Sequence, residues 1–292
     1  MPDKPFRPPS LQINILSAAA YNEATVLQRE VAQRMSERLA YLKHAPRLII
    51  DVGAGTGFGT GLLQQHYPAA SIIALETQPQ ILSQAFPPIA KWKRWLGLEK
   101  SATQCACSDF TRLPLRAASV DMIWSNLALH HHDPDTAFKE AQRVLKSGGL
   151  VMFSLLGPDT LKELRAASGD ANMKRLIDMH DVGDVLSHNG FTAPVMDMET
   201  LTLTYAKVDD LLQDLHRTGE ENLLPEMLRH AANQNHLTNV THRYEGFRAD
   251  GKLPATYEIV YGHAWKGEQQ KLTQDGRQVI EFRRNKSFQS LK

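Results

Sequence analysis

Cysteine is nearly absent. The two in 292 residues, Cys105 and Cys107, have no others to join, so neither a disulfide framework nor a cysteine-rich zinc site is available, and a reducing cytoplasm is the expected compartment. Charge of one sign is also lacking. Thirty-three basic side chains against 32 acidic ones leave +1, which excludes a surface built to grip nucleic acid by phosphate neutralisation alone. No apolar run approaches the ~20 residues of a membrane span, and the opening MPDKPFRPPS has no apolar centre of a signal peptide. What is present is globular: 42% apolar residues and 22% charged ones supply a core for one large domain or two small ones, and rule out a disordered chain.

Over residues 23–43 the apolar positions Ala24, Leu27, Val31, Met35, Leu39 and Leu42 recur every three or four residues, which predicts a long amphipathic helix. The period then changes. Residues 47–52 (RLIIDV) are a continuous apolar run closed by an acid and glycines, as expected of a strand buried on both faces. Further strands are predicted at 71–76, 102–107, 120–125 and 150–155, and helices at 57–66, from Gln78, and at 134–146. Strands separated by helix-length segments require crossovers, hence a mostly parallel sheet with helices on both sides.

Beyond Leu156 the rhythm loosens. Helices are predicted at 160–167, 182–189, 208–215 and 223–232, and strands at 193–205 and 256–265. The 206–252 connection is far longer than a hairpin needs, and its helices are joined by a polar, His-rich link at 233–242. Together with residues 157–190 and an N-terminal helical segment, 1–46, it is expected to cap the carboxyl ends of the strands. Residues 267–292 read as a polar tail.

Residues 51–57 read DVGAGTG. Glycines there allow a tight turn and a close approach of backbone to ligand at a helix N-terminus. Glu76 ends the second strand, where doubly wound nucleotide folds place a carboxylate against ribose hydroxyls. Dinucleotide folds use G-x-G-x-x-G, whereas here the series is GAGTG after an acid.

That series resembles the first motif of the class I S-adenosylmethionine methyltransferases, (D/E)-x-G-x-G-x-G. Asp109-Phe110 is similar to the pair that holds adenine, and DMIWSN (121–126) to the fourth-strand motif beside the methyl donor. The resemblance implies an α/β fold: a Rossmann-like, seven-stranded, mostly parallel sheet over 47–266, with helical cap insertions at about 157–190 and 206–252. It implies S-adenosylmethionine as cofactor, with contacts from Asp51, Gly53, Ala54, Gly55, Thr56, Gly57, Glu76, Thr77, Asp109, Phe110, Asn126 and Leu127.

A narrower resemblance covers residues 12 to 266. AAAY (18–21), VLQRE (26–30), SNLALH (125–130), FSLLGPDTLKELR (153–165), DMHD (178–181), Gly190-Phe191 and LPATY (253–257) through to Trp265 resemble the malonyl-acyl carrier protein O-methyltransferases of biotin synthesis, the BioC family. These segments are also similar to mitochondrial complex I assembly factors. Methylation or hydroxylation of a protein side chain, and a non-enzymatic assembly role, therefore stand as alternatives. Members commonly have Arg-Phe where Ile15-Leu16 stands, and commonly Trp where His131 stands; both departures bear on substrate contacts.

Carboxyl methylation as the implied chemistry singles out further residues. Tyr21 is the candidate orienting hydroxyl and lid, and His130 and His131 are candidates to line the substrate crevice. Arg143, Arg165 and Arg175 are candidates for the substrate carboxylate, because arginine offers a planar fork. HHHD (130–133) invites a metal reading, but consecutive residues on a turn diverge and no partner ligand pattern stands elsewhere, so no metal is expected. The KWKRW patch, Lys91, Lys93 and Arg94 with two tryptophans, could steer an acidic carrier protein. Single-stranded nucleic acid and a plain solvated helix are its other readings.

Overall fold

The computed structural model describes residues 18–86, 104–169, 173–224, 228 and 234–267. Ile15-Leu16, the 91–95 patch and nearly all of the expected tail lie outside these residues. The apolar run after Arg47 forms β1 (Leu48–Val52), its last four residues buried. Parallel to it lie β2 (Ser71–Glu76), β3 (Gln104–Cys107), β4 (Val120–Ser125) and β5 (Leu145–Leu156). β6 (Phe191–Tyr205) and β7 (Leu253–Lys266) complete one seven-stranded sheet in the order β3-β2-β1-β4-β5-β7-β6. Only β7 runs antiparallel to its neighbours. The order reverses between β1 and β4, and a crevice opens there at the carboxyl ends of the strands.

The N-terminal helical run is two helices rather than one: α1 (Ala18–Ala24) and α2 (Val26–Leu39). They meet at Thr25, whose hydroxyl donates to the Asn22 carbonyl at 3.2 Å. The break turns Tyr21 and Asn22 over the glycine loop, while Leu27, Val31, Met35 and Leu39 pack into the core below. α3 (Phe58–His66) follows β1, and α4 (Pro79–Ala85) follows β2. α5 (Pro134–Val144) starts with proline at its first turn and with the Asp133 carboxylate accepting the Thr136 N–H at 2.9 Å. That helix is shorter than predicted, because Leu145 already pairs with Val120. The strand then bulges through Ser147-Gly148-Gly149 before regular pairing resumes at Leu150.

α6 (Lys162–Ser168), α7 (Met179–His188), α8 (Val208–Thr218) and α9 (Gln234–Tyr244) supply the insertions. α9 replaces most of the predicted polar link. Leu237, Val240 and Tyr244 keep helical spacing under a polar surface, and Val240 and Tyr244 are buried, with the Tyr244 hydroxyl donating to the Pro254 carbonyl at 2.7 Å. The helix predicted at 223–232 lies largely outside the described residues, and a 3-10 turn occupies Glu220–Leu223. α2, α3, α6, α8 and α9 share one core with one face of the sheet, and α5 and α7 cover the other. No helix among the described residues is long and apolar enough to cross a membrane.

Candidate active site

A cavity of about 1040 Å³ fills the crevice. One wall is the glycine loop. Gly53, Gly55 and Gly57 all have positive φ, of 78°, 53° and 85°, a region costly for any side chain. A Cβ on Gly53 would come 2.3 Å from Ala128 Cβ, and one on Gly55 would come 3.3 Å from the Tyr21 hydroxyl. Glycine therefore keeps space between the loop and Tyr21. Gly53 and Ala54 both donate their N–H to the Leu75 carbonyl, at 2.8 and 3.0 Å, and Gly55 donates to Glu76 at 3.0 Å. With these donors committed to β2, the loop offers no run of free N–H groups for a pyrophosphate.

Two buried carboxylates stand behind that wall. Asp51 accepts the Thr60 hydroxyl at 2.6 Å; burial, reinforced by Glu76 and opposed by the Thr60 bond, pushes its pKa up to about 7. Glu76 accepts the N–H groups of Thr77 and Gln78 on one oxygen, at 2.8 and 3.1 Å, and that of Gly55 on the other. Asp109 holds a tight turn by accepting the N–H and hydroxyl of Thr111 at 2.7 and 2.6 Å. Asn126 donates to the Gln28 carbonyl at 2.8 Å and accepts the Ser154 hydroxyl at 2.9 Å. Asp51, Gly53, Ala54, Gly55, Thr56, Glu76, Thr77, Asp109, Phe110, Asn126 and Leu127 all line the cavity. Gly57 does not: it is the left-handed residue before α3, packed against the Phe86 ring.

The opposite wall combines the turn after β4 with the N-terminal helices and the turn at Glu220–Leu223. Tyr21 lines the cavity, half-buried, and burial with the nearby Glu76 and Glu220 carboxylates raises its pKa far enough to keep the phenol protonated. His131 also lines it, whereas His130 is buried behind, its Nε2 3.0 and 3.2 Å from the two oxygens of Glu220. Burial lowers the proton affinity of His130, against the pull of Glu220. Burial would raise Glu220, but the two imidazoles beside it keep it ionised. Lys174 donates to the His130 carbonyl at 2.8 Å.

The three arginines expected at the carboxylate do not line the cavity. Arg143 sits at the far end of the sheet, beside the starts of β4 and β5, where it binds Glu140 and the carbonyls of Leu113 and Leu115. Arg165 is half-buried on α6, a helix that packs on α9 and β7, and Arg175 is exposed. Among the described residues, the arginines and lysines that line the cavity are Arg29, Arg112 and Lys174. Arg29 was legible in principle, one turn beyond Thr25 on the helix that carries Tyr21. Nothing local marks Glu220, 90 residues from its histidine partner.

A backbone-built donor pocket at the switch point of a 3-2-1-4-5-7-6 sheet defines a class I, S-adenosylmethionine-dependent methyltransferase. A "Methyltransferase domain" family model matches residues 50–153. The YcgJ protein of Bacillus subtilis shares the fold with a TM-score of 0.55 at 16% identity, over 81% of this chain and 99% of that one. A Haemonchus contortus phosphoethanolamine N-methyltransferase solved with S-adenosylhomocysteine shares it at 0.50 and 18% identity, over 86% of this chain and 57% of that one. Relatives are much nearer in sequence. The malonyl-[acyl-carrier protein] O-methyltransferase of Methylovorus sp. is 44% identical over 91% of both chains, and that of Gallionella capsiferriformans 45% over 90% of this chain and 92% of its own. The chain belongs to the malonyl-[acyl-carrier protein] O-methyltransferase family.

Proposed function

We propose that this chain methylates the free carboxylate of malonyl carried on acyl carrier protein, an early step of biotin synthesis. The observation that carries the reading is similarity at 42–45% identity to relatives so named, over 90% or more of the chain. The cavity supports it: a donor pocket on one side and a cap on the other enclose enough volume for a cofactor and a short acyl group. Bound there, S-adenosylmethionine supplies a methyl group activated by a sulfonium charge. Asp51 would favour that cation when ionised, Glu76 would hold the ribose, Asp109 and Phe110 the adenine, and the loop from Gly53 to Thr56 the amino acid portion.

The acceptor needs little help. A carboxylic acid with a pKa near ~4 is ionised at neutral pH, so no general base is required. Placement and the exclusion of water are the remaining tasks. Tyr21, kept protonated, is the proposed donor that orients an acceptor oxygen, with His131 beside it. Arg29 and Lys174 take over from the three displaced arginines as candidates for attracting the carboxylate. The N-terminal helices and the segments 157–190 and 206–252 are proposed as one cap on a 47–266 methyltransferase domain. The 91–95 patch keeps its proposed role as the carrier's docking site, and the cytoplasm is the proposed compartment.

Transfer of labelled methyl from S-adenosylmethionine to malonyl-carrier protein, with acetyl-carrier protein as control, tests the reading. Malonyl-dependent labelling is expected; equal labelling of both, or of neither, overturns it.

A further inference from the structure

His130, His131 and Glu220 place three metal-ligating atoms within 4.8 Å of one another, and they are the group of that kind among the described residues. Both imidazoles present Nε2 to the same carboxylate oxygen, Glu220 Oε1, at 3.2 and 3.6 Å. Ligands about 2.1 Å from a tetrahedral zinc ion stand about 3.4 Å apart, so both nitrogen-to-carboxylate separations match those of a bound set. The two rings lie 4.2 Å apart at 42°, and both Nε2 atoms face Glu220. The expectation that neighbouring histidines on a turn diverge fails here, because the 3-10 turn Leu129–His131 is tight and Lys174 fixes its His130 carbonyl. The missing third ligand comes from the cap.

From this geometry we infer a binding site for a divalent first-row transition-metal ion, held by Nε2 of His130, Nε2 of His131 and the Glu220 carboxylate. Two imidazoles and one carboxylate suit such ions and no hard cation as well. Three protein ligands leave at least one position open, as in zinc sites that take an exogenous ligand. His131 and Glu220 line the cavity, so the open position faces it and would accept water or a carboxylate oxygen. The ion would join residues from the core and from the cap, and would turn a wall whose formal charge is −1 with neutral imidazoles into one of +1. The site stands on the cluster alone and does not depend on the identity of the methyl acceptor.

The test uses the full, untagged chain after treatment with a chelator. Zinc titrated by calorimetry should bind with one-to-one stoichiometry at micromolar or tighter dissociation constant and raise the melting temperature. Cobalt should give the visible absorption of a low-coordinate site. Glu220→Gln and His131→Asn should each weaken zinc at least tenfold, with S-adenosylmethionine binding reporting that the variants are folded, and His180→Ala should leave zinc binding unchanged. Absence of stoichiometric zinc binding, or binding that survives Glu220→Gln at full affinity, overturns the site and leaves a hydrogen-bonded clasp between cap and core. Methyl transfer measured with and without zinc is read separately, so failure here does not touch the proposed reaction.

Discussion

The two walls of the cavity are built in opposite ways. The donor wall comes from residues adjacent in sequence at the ends of β1, β2 and β4, and its hydrogen bonds run largely through backbone groups, such as the Gly53, Ala54 and Gly55 N–H bonds to β2. The proposed acceptor wall comes from side chains brought together over long separations, such as His130 and His131 with Glu220. Backbone geometry constrains residue type at every step, so the donor wall tolerates little change. Side-chain geometry on inserted segments can be altered piecemeal, and such a wall is where specificity is free to vary.

If that contrast holds, the harshest substitution is in the donor loop. Gly53→Ala combines a φ of 78° with a Cβ contact of 2.3 Å; strain and overpacking each cost about 1–3 kcal/mol. A lowered melting temperature and loss of detectable cofactor binding by calorimetry are expected, and a variant that binds normally breaks the comparison. Glu76→Ala comes next, removing both the proposed ribose acceptor and the anchor of Gly55. Cofactor affinity should fall at least tenfold, about 1.4 kcal/mol, and unchanged affinity would remove Glu76 from that role.

The third effect is graded by pH. Asp51 has its proton affinity raised in the folded chain, from 3.8 to about 7, so the neutral carboxyl favours folding. Stability from this group is full below 3.8, declines as pH rises through that window, and is lost above about 7. Binding of a cationic cofactor should run the other way, weakening by up to about tenfold per pH unit below 7. Asp51→Asn should flatten both dependences, as read by thermal melts and by calorimetry from pH 5 to 8.

Smaller effects belong to the acceptor wall. Tyr21→Phe removes one hydroxyl, worth about 0.5–1.5 kcal/mol, and should lower turnover about three- to tenfold while cofactor affinity stays within about twofold. An unaltered rate would make Tyr21 a packing residue. Arg143→Ala is expected to do least: unchanged turnover, and a stability loss of no more than about 1 kcal/mol from a surface ion pair. A raised Michaelis constant for the acyl substrate would reverse that assignment.

The same contrast explains what could be read from the sequence. The sheet was legible because each strand is a short apolar run punctuated by glycine or an acid, and the cavity lining beside it because those residues follow the strands directly. Gly57 was misplaced only in function, since a glycine that turns the chain and one that lines a cavity look alike in a motif. Arg143 failed because helical position says nothing about which end of a sheet a residue occupies; its partners Leu113 and Leu115 are 30 and 28 residues away. α9 was hidden because its buried face is narrow and its surface is rich in Asn, Thr and His. Glu220 carried no mark, being one of two consecutive acids after a glycine.

Asn126 bonds at both ends of its amide, to the Gln28 carbonyl on α2 and to Ser154 on β5. This makes it a latch between the first helices of the chain and the middle of the sheet. Peeling α2 away cannot happen without releasing the residue that follows β4, so exposure of the N-terminal helices to a protease or to deuterium reports on the integrity of the donor pocket itself. Access to α2 is thereby a gauge of the order at the middle of the sheet.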